Sequence, residues 1–198
     1  MSPPIPAPKP DASEYYMLGC FGPDDDDATE IHNVPRPPGV SWNSGARITA
    51  PVPQPMQVEL DPENPGVLLP MYHKGVLIFS DDLITALRDA GVDNLDVYEL
   101  ILSDPFTGAK HRNYKVVNIV GLISAADLGR SKHTAWGTPL IDVDFDSLVI
   151  DPAKARGALM FRLAENLAGI VVHAKVKNHL ERLGIPFLDF YLPEEWVG

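Results

Sequence analysis

The chain of 198 residues contains a single cysteine, Cys20. One cysteine cannot form an intramolecular disulfide or supply the thiolates of a cysteine zinc site. The sequence also lacks a glycine-rich phosphate loop, a dinucleotide-binding fingerprint and a serine in a nucleophile elbow. It has no apolar run long enough to cross a bilayer, and its first residues, MSPPIPAPKP, contain no apolar secretion signal. These absences favour a reduced, cytoplasmic protein that carries none of the common catalytic signatures.

Positive charge is also scarce. Sixteen Lys and Arg residues stand against twenty-seven Asp and Glu, which gives a formal net charge of −11 at pH 7. DNA, RNA and anionic lipid all need a positive protein surface, so we expect no nucleic-acid or membrane partner. A strongly acidic surface favours a basic partner, or it serves solubility alone.

Proline is abundant and unevenly distributed. Fifteen of the twenty prolines lie before residue 71, and residues 1–12 read as a flexible, proline-rich arm. We therefore predict a loop-rich region with short strands at 13–70 and an α+β domain at 71–198, unless the first region packs on the main sheet instead. Residues 1–72 carry ten acids and three bases, so −7 of the net charge lies there.

The remaining sequence shows strand and helix signals in mixed order. Ser80 is a helix N-cap, followed by two aspartates in the first turn, and Gly91 ends that helix. Val172, Val176, Leu180 and Leu183 form an apolar stripe of a last helix, which Gly184 ends. Strands are predicted at 14–20, 57–60, 75–79, 94–102, 113–123, 141–150, 158–165 and 186–192. The pattern indicates an α+β fold with a mixed, mainly antiparallel sheet and two or three helices.

The motif DVDFD is the sharpest candidate for chemistry. In a strand, Asp142, Asp144 and Asp146 share one face, and Val143 and Phe145 share the other. Closely spaced carboxylates can hold magnesium or calcium. The simpler interpretation is the polar face of a half-buried strand, where adjacent like charges would be relieved by a cation or a basic partner.

A second acidic cluster comprises four adjacent aspartates, Asp24, Asp25, Asp26 and Asp27. Such a run is typical of a solvated loop, although it can also meet a basic surface. It does not match the calcium-loop pattern, which needs ligands at alternate positions together with a glycine and a distal glutamate.

Three stretches together resemble a known family. They are FSDDLITALRDAGVDNLDVYEL, then DPFTGAKHRNYKVVNIVGLISAADLGRS with Tyr114, Asn118, Asp127, Leu128 and Ser131 at characteristic places, and ALMFRLAENLAGIVVHAKVKNHLERLGIPFLDFYLPEEW. They resemble the immunity proteins of bacterial polymorphic toxin systems, in the family typified by a myxobacterial member. The resemblance covers roughly residues 75–195.

The resemblance implies a non-enzymatic protein without a cofactor, which binds and neutralises a cognate toxin. An acidic inhibitor suits a basic toxin, so we expect Asp24–Asp27 and Asp142, Asp144 and Asp146 to contact it. A homodimer stays open, through an exposed edge strand or the Trp136 region. Two other functions also stay open. One is a divalent-metal enzyme that uses the three alternate aspartates, and the other is a scaffold protein of a secretion apparatus that docks through its proline-rich arm.

Overall fold

A computed structural model of the chain describes residues 13–23, 28–135 and 142–198. Its helices are α1 (Asp81–Asp89), α2 (Pro152–Ala155) and α3 (Ala174–Leu183), with a 3₁₀ turn at Pro193–Glu195. The strands are β1 (Tyr15–Cys20), β2 (Ile31–His32), β3 (Met56–Leu60), β4 (Met71–His73), β5 (Leu77–Ser80), β6 (Leu95–Ser103), β7 (Lys110–His111), β8 (Tyr114–Ile119), β9 (Leu122–Ile123), β10 (Lys132–Ala135), β11 (Val143–Ser147), β12 (Met160–Leu163), β13 (Ile170–His173) and β14 (Leu188–Tyr191).

The strands form two large sheets and one strand pair. The seven-stranded sheet has the order β2-β3-β6-β8-β5-β4, with β7 paired to β6. The five-stranded sheet has the order β14-β1-β13-β12-β9, and β10 pairs with β11. All named pairings are antiparallel except β3–β6 and β12–β9. The predicted α+β class, with mainly antiparallel pairing, is confirmed.

Strands from both parts of the sequence share these sheets. β1 pairs with β13 and β14, and β3 pairs with β6. Both large sheets therefore contain strands from before and after residue 71. The flexible arm at 1–12 lies outside the described residues and stays a prediction, as do the domain limits.

The two large sheets share a central core, because their middle strands are buried on both faces. On β5, Leu77 and Phe79 face this core, while Ile78 belongs to the cluster on the opposite face of the seven-stranded sheet. On β13, Val172 faces the same central core, while Val171 belongs to a third cluster on the outer face of the five-stranded sheet. Helices α1 and α3 pack in the central core. Because successive side chains of a strand point to opposite faces, the two sheets border three apolar layers. The outermost layer must be covered by another segment of the chain.

The third layer is covered by β11. Val143 and Phe145 belong to the same cluster as Tyr15 and Met17 of β1 and Val171 of β13. The β10–β11 pair therefore lies on the outer face of the five-stranded sheet, and the fold fixes which face of β11 points to solvent.

Two predicted elements differ from the structure. The single strand predicted at 113–123 is split, because the chain leaves the seven-stranded sheet after Ile119 and joins the five-stranded sheet as β9. The crossing uses Gly121 at φ +150°, a conformation that favours glycine. The last helix begins at Ala174, so Val172 lies in β13 instead, and Leu183 is exposed.

The caps of the two longer helices are confirmed. The Ser80 hydroxyl accepts a hydrogen bond from the amide of Leu83 at 3.2 Å, and Gly184 ends α3 in the left-handed conformation at φ +68°. An N-cap oxygen satisfies an amide that would otherwise lack a partner inside the protein.

We expect Ser80→Ala to lower the free energy of unfolding by about 1 kcal/mol, because the buried Leu83 amide loses its acceptor. Urea unfolding followed by circular dichroism measures the change. Ser41→Ala is the matched control, since Ser41 is exposed and should leave the unfolding midpoint unchanged. Equal midpoints for Ser80→Ala and wild type would contradict this role of the cap.

Candidate functional site

The three aspartates of DVDFD lie as the sequence predicts. Asp142, Asp144 and Asp146 are exposed, while Val143 and Phe145 are 0% and 1% exposed. The apolar side chains pack on the five-stranded sheet, so the three carboxylates are held in a row on the solvent face.

Both edges of β11 are bonded to other parts of the chain. β10 pairs along one edge, with Thr134 opposite Asp144. Elsewhere, the Val143 amide donates to the carbonyl of Glu165 at 2.9 Å, and the Phe145 amide donates to the carbonyl of Gly198 at 2.6 Å. A strand held in this way presents its side chains in a fixed geometry.

The spacing of the three carboxylates is unsuited to one metal ion. Alternate residues of an extended chain lie about 6.4–6.8 Å apart, so the backbone positions of Asp142, just before β11, and Asp146 lie about 13 Å apart. Calcium and magnesium ligands lie within about 2.6 Å of the ion. Among the described residues, no three His, Cys, Asp or Glu side chains lie close enough together to hold a metal ion.

The second acidic cluster, Asp24–Asp27, lies outside the described residues, so its contact with a partner stays a prediction. Trp136 lies outside them as well. Gly22 and Ala28, which stand close to the two ends of this run in the sequence, line a cavity.

This cavity has a volume of about 650 Å³ and opens between β1, β4 and the C-terminal segment Trp196–Gly198. Leu18 and Met71, which belong to the central core, are among its lining residues. It joins parts of the sequence that are more than a hundred residues apart, and no local motif signals it. Sequence reasoning therefore missed it.

The hydroxyl groups at the cavity form a closed hydrogen-bonded set. Thr29 Oγ1 donates to the carbonyl of Val67 at 3.0 Å, and it lies 2.7 Å from the hydroxyl oxygen of Tyr72. Since Thr29 has used its only proton, Tyr72 donates to Thr29 and accepts from the Leu69 amide at 3.0 Å. Burial raises the pKa of Tyr72 above its usual range, so the phenol stays protonated at neutral pH.

A histidine at the cavity is held neutral. His73 is exposed at the end of β4, yet partial desolvation of its ring by the surrounding atoms, together with the positive charge of Arg162, lowers the pKa of His73 to about 4. Arg162 is 0% exposed, and its Nη1 donates to the carbonyl of Leu167. Burial lowers the pKa of Arg162 to about 10, which leaves it charged at pH 7.

Arg162 and Glu165 are buried charged residues that the sequence did not reveal, because both lie in an apolar run. Arg162 Nε and Nη2 have no hydrogen-bond partner among the described residues. Glu165, three residues later, is 3% exposed and accepts a 2.5 Å hydrogen bond from the hydroxyl of Ser124. Charged residues in a run such as MFRLAE usually mark an exposed strand face, so their burial follows only from the tertiary structure.

Cys20 also lies at the cavity, and it is unsuited to act as a nucleophile. Burial raises the pKa of its thiol to about 11, whereas reactive cysteines have lowered pKa values. The thiol is therefore protonated at neutral pH and contributes to the cavity wall as a small apolar group.

No protein-family model matches the chain, and no curated protein is significantly similar to it. The family resemblance therefore stays a prediction. Within the described ranges, none of the helices has the length and apolarity that crossing a membrane would require.

The pKa of His73 generates a pH prediction. An unfolded histidine takes up its proton near pH 6.5, but folded His73 does so only near pH 4. Between these values the unfolded state binds more protons, so His73 makes the free energy of unfolding fall as pH decreases from 6.5 to 4.

We therefore expect His73→Gln to lose less stability than wild type between pH 7 and pH 4, because glutamine takes up no proton. Urea unfolding at several pH values measures both slopes. His32→Gln is the control, since His32, like His73, is an exposed histidine at the end of a short strand. Parallel pH profiles for wild type and His73→Gln would show that His73 is not protected from protonation.

Proposed function

We propose that this chain is an immunity protein, which binds a cognate basic toxin and neutralises it without catalysing a reaction. The observation that carries the proposal is the row of Asp142, Asp144 and Asp146, exposed on a strand that is bonded along its edges. The sequence resemblance to toxin-system immunity proteins supports the same function. The proposal includes a cytoplasmic location, where a producing cell would meet its own toxin.

The row is suited to protein recognition because its geometry is set before binding. Side chains on a rigid strand lose less conformational freedom when a partner orders them than side chains on a mobile loop. Val143 and Phe145 pack in the apolar cluster on the five-stranded sheet, so the carboxylates can face a partner without loss of core packing.

The charge of the row also indicates the class of partner. Three carboxylates on one exposed face give that face a negative charge, which favours basic side chains on a partner. The whole chain has a net charge of −11, so its long-range field attracts basic proteins and repels nucleic acids. A nuclease toxin fits this description, since it must itself carry a positive surface to bind its polyanionic substrate.

Exposed charges of this kind affect association more than final affinity. Two unit charges 4 Å apart in water interact by only about 1 kcal/mol, and salt reduces this further. Complementary fields can nevertheless raise association rates by about 10- to 1,000-fold. The acidic row should therefore determine how fast the toxin is captured.

The test replaces the three carboxylates with neutral isosteres, Asp142→Asn, Asp144→Asn and Asp146→Asn together. We expect the association rate with the toxin, taken as the product of the gene immediately upstream, to fall about 3- to 10-fold at low salt. Its salt dependence should become weaker. Stopped-flow or surface-plasmon kinetics at about 50 and about 500 mM salt measure the association rate, because electrostatic screening differs strongly between these two concentrations.

A matched control changes the net charge by the same amount elsewhere, through Glu63→Gln, Asp89→Asn and Asp93→Asn, which are all exposed. The position of the row matters only if the control slows association less than the β11 variant. Equal effects would assign the rate to net charge alone. An unchanged rate in the β11 variant would remove the row from the interface.

A further inference from the structure

The mouth of the 650 Å³ cavity carries exposed apolar side chains. Phe21 is 54% exposed and Val197 is 76% exposed, and both line the cavity. The ring of Phe21 packs edge-on against Tyr191, with 6.3 Å between the ring centroids. These two apolar side chains border the same cavity, so a partner that covers its mouth would bury both.

The floor of the cavity requires no hydrogen bonds from an occupant. Leu18, Leu69 and Met71 are 7%, 7% and 4% exposed, and the hydroxyls of Thr29 and Tyr72 are already paired. A polar group that entered would lose its contacts with water and find few partners, whereas an apolar group would gain from burial.

The charged side chains that line the cavity leave one carboxylate without an ion pair among the described residues. Lys74 lies 2.8 Å from a carboxylate oxygen of Glu30, so these two side chains form a pair. His73 is neutral at pH 7. Glu195, at the other side of the mouth, is exposed and forms no ion pair among the described residues. A second copy of this acidic chain would be repelled, and a basic protein would be attracted.

The cavity lining reaches the buried face and one edge of β11. The Trp196 ring, which lines the cavity, lies 6.3 Å from the ring of Phe145, measured between centroids. Gly198 lines the cavity and also exchanges backbone hydrogen bonds with Phe145. A partner seated at the cavity therefore lies beside the β11 edge that Gly198 occupies, while the three aspartates point away from the Phe145 side of the strand.

We propose that this cavity receives an apolar side chain of the cognate toxin, aromatic by preference, with basic residues of the toxin beside it. The proposal rests on the proposed function and adds the place where the complex is held. Cavities of about 300–1,000 Å³ enclose most of a small organic molecule, so an aromatic side chain fits with its neighbours. Such buried anchors supply most of the binding energy at protein interfaces.

The apolar side chain in the cavity and the acidic row should then affect different rate constants of binding. Exposed charges act during encounter, and a buried anchor must leave its cavity before the complex separates. Loss of the cavity contacts should accelerate dissociation while association stays nearly unchanged.

The experiment compares two cavity variants with one control, each in the full chain against the product of the gene immediately upstream. Phe21→Ser removes the apolar mouth, and Ala168→Trp fills the cavity from an exposed position. We expect dissociation about tenfold faster or more in both. Phe106→Ser is the matched control, since Phe106 is 48% exposed and lies away from the cavity. Thermal melts of every variant confirm that it folds.

The possible outcomes distinguish a failure of the cavity proposal from a failure of the proposed function. A complex whose dissociation is unchanged in both folded cavity variants overturns the cavity proposal and leaves the proposed function standing. Equal acceleration in Phe106→Ser overturns it as well. If ultracentrifugation shows self-association that Phe21→Ser abolishes, the cavity belongs to a second copy and the proposal fails. If wild type forms no complex, the proposed function and the cavity proposal fail together.

Discussion

The outer face of the five-stranded sheet is apolar, and the packing of Val143 and Phe145 on it determines much of the surface around it. These residues bury β11 on one side, so strand alternation sends Asp142, Asp144 and Asp146 to the other. A slip of one residue would bury three carboxylates, which is prohibitive without paired cations. The acidic row is therefore fixed by the same contacts that complete the core.

The C-terminal segment connects one edge of β11 to the cavity. It pairs with Phe145 through Gly198 and continues past Trp196 along the cavity mouth. The apolar cavity mouth thus lies beside the β11 edge, and protein interfaces commonly combine a buried apolar centre with a polar rim. The acidic row and the cavity are expected to affect different rate constants, since long-range charge governs association and short-range packing governs dissociation.

Local features of the fold could be predicted from the sequence. Ser80 and Gly184 mark helix ends because caps depend on neighbouring residues only, and the alternation of DVDFD gave the right solvent face. The split after Ile119 was not predicted, because GLI continues an apolar run and only tertiary pairing assigns it to another sheet. The cavity and the burial of Arg162 depend on contacts between distant segments, which periodicity cannot reveal.

The central claim is that the chain neutralises a toxin by binding it. The most direct measurement expresses the product of the gene immediately upstream in a bacterial host, with and without this chain, and follows both growth and co-purification. The claim predicts that the upstream product alone arrests growth, and that this chain restores growth and co-purifies with it in a stable complex. Arrested growth in the presence of this chain, or an upstream product that is harmless and unbound, would contradict the claim.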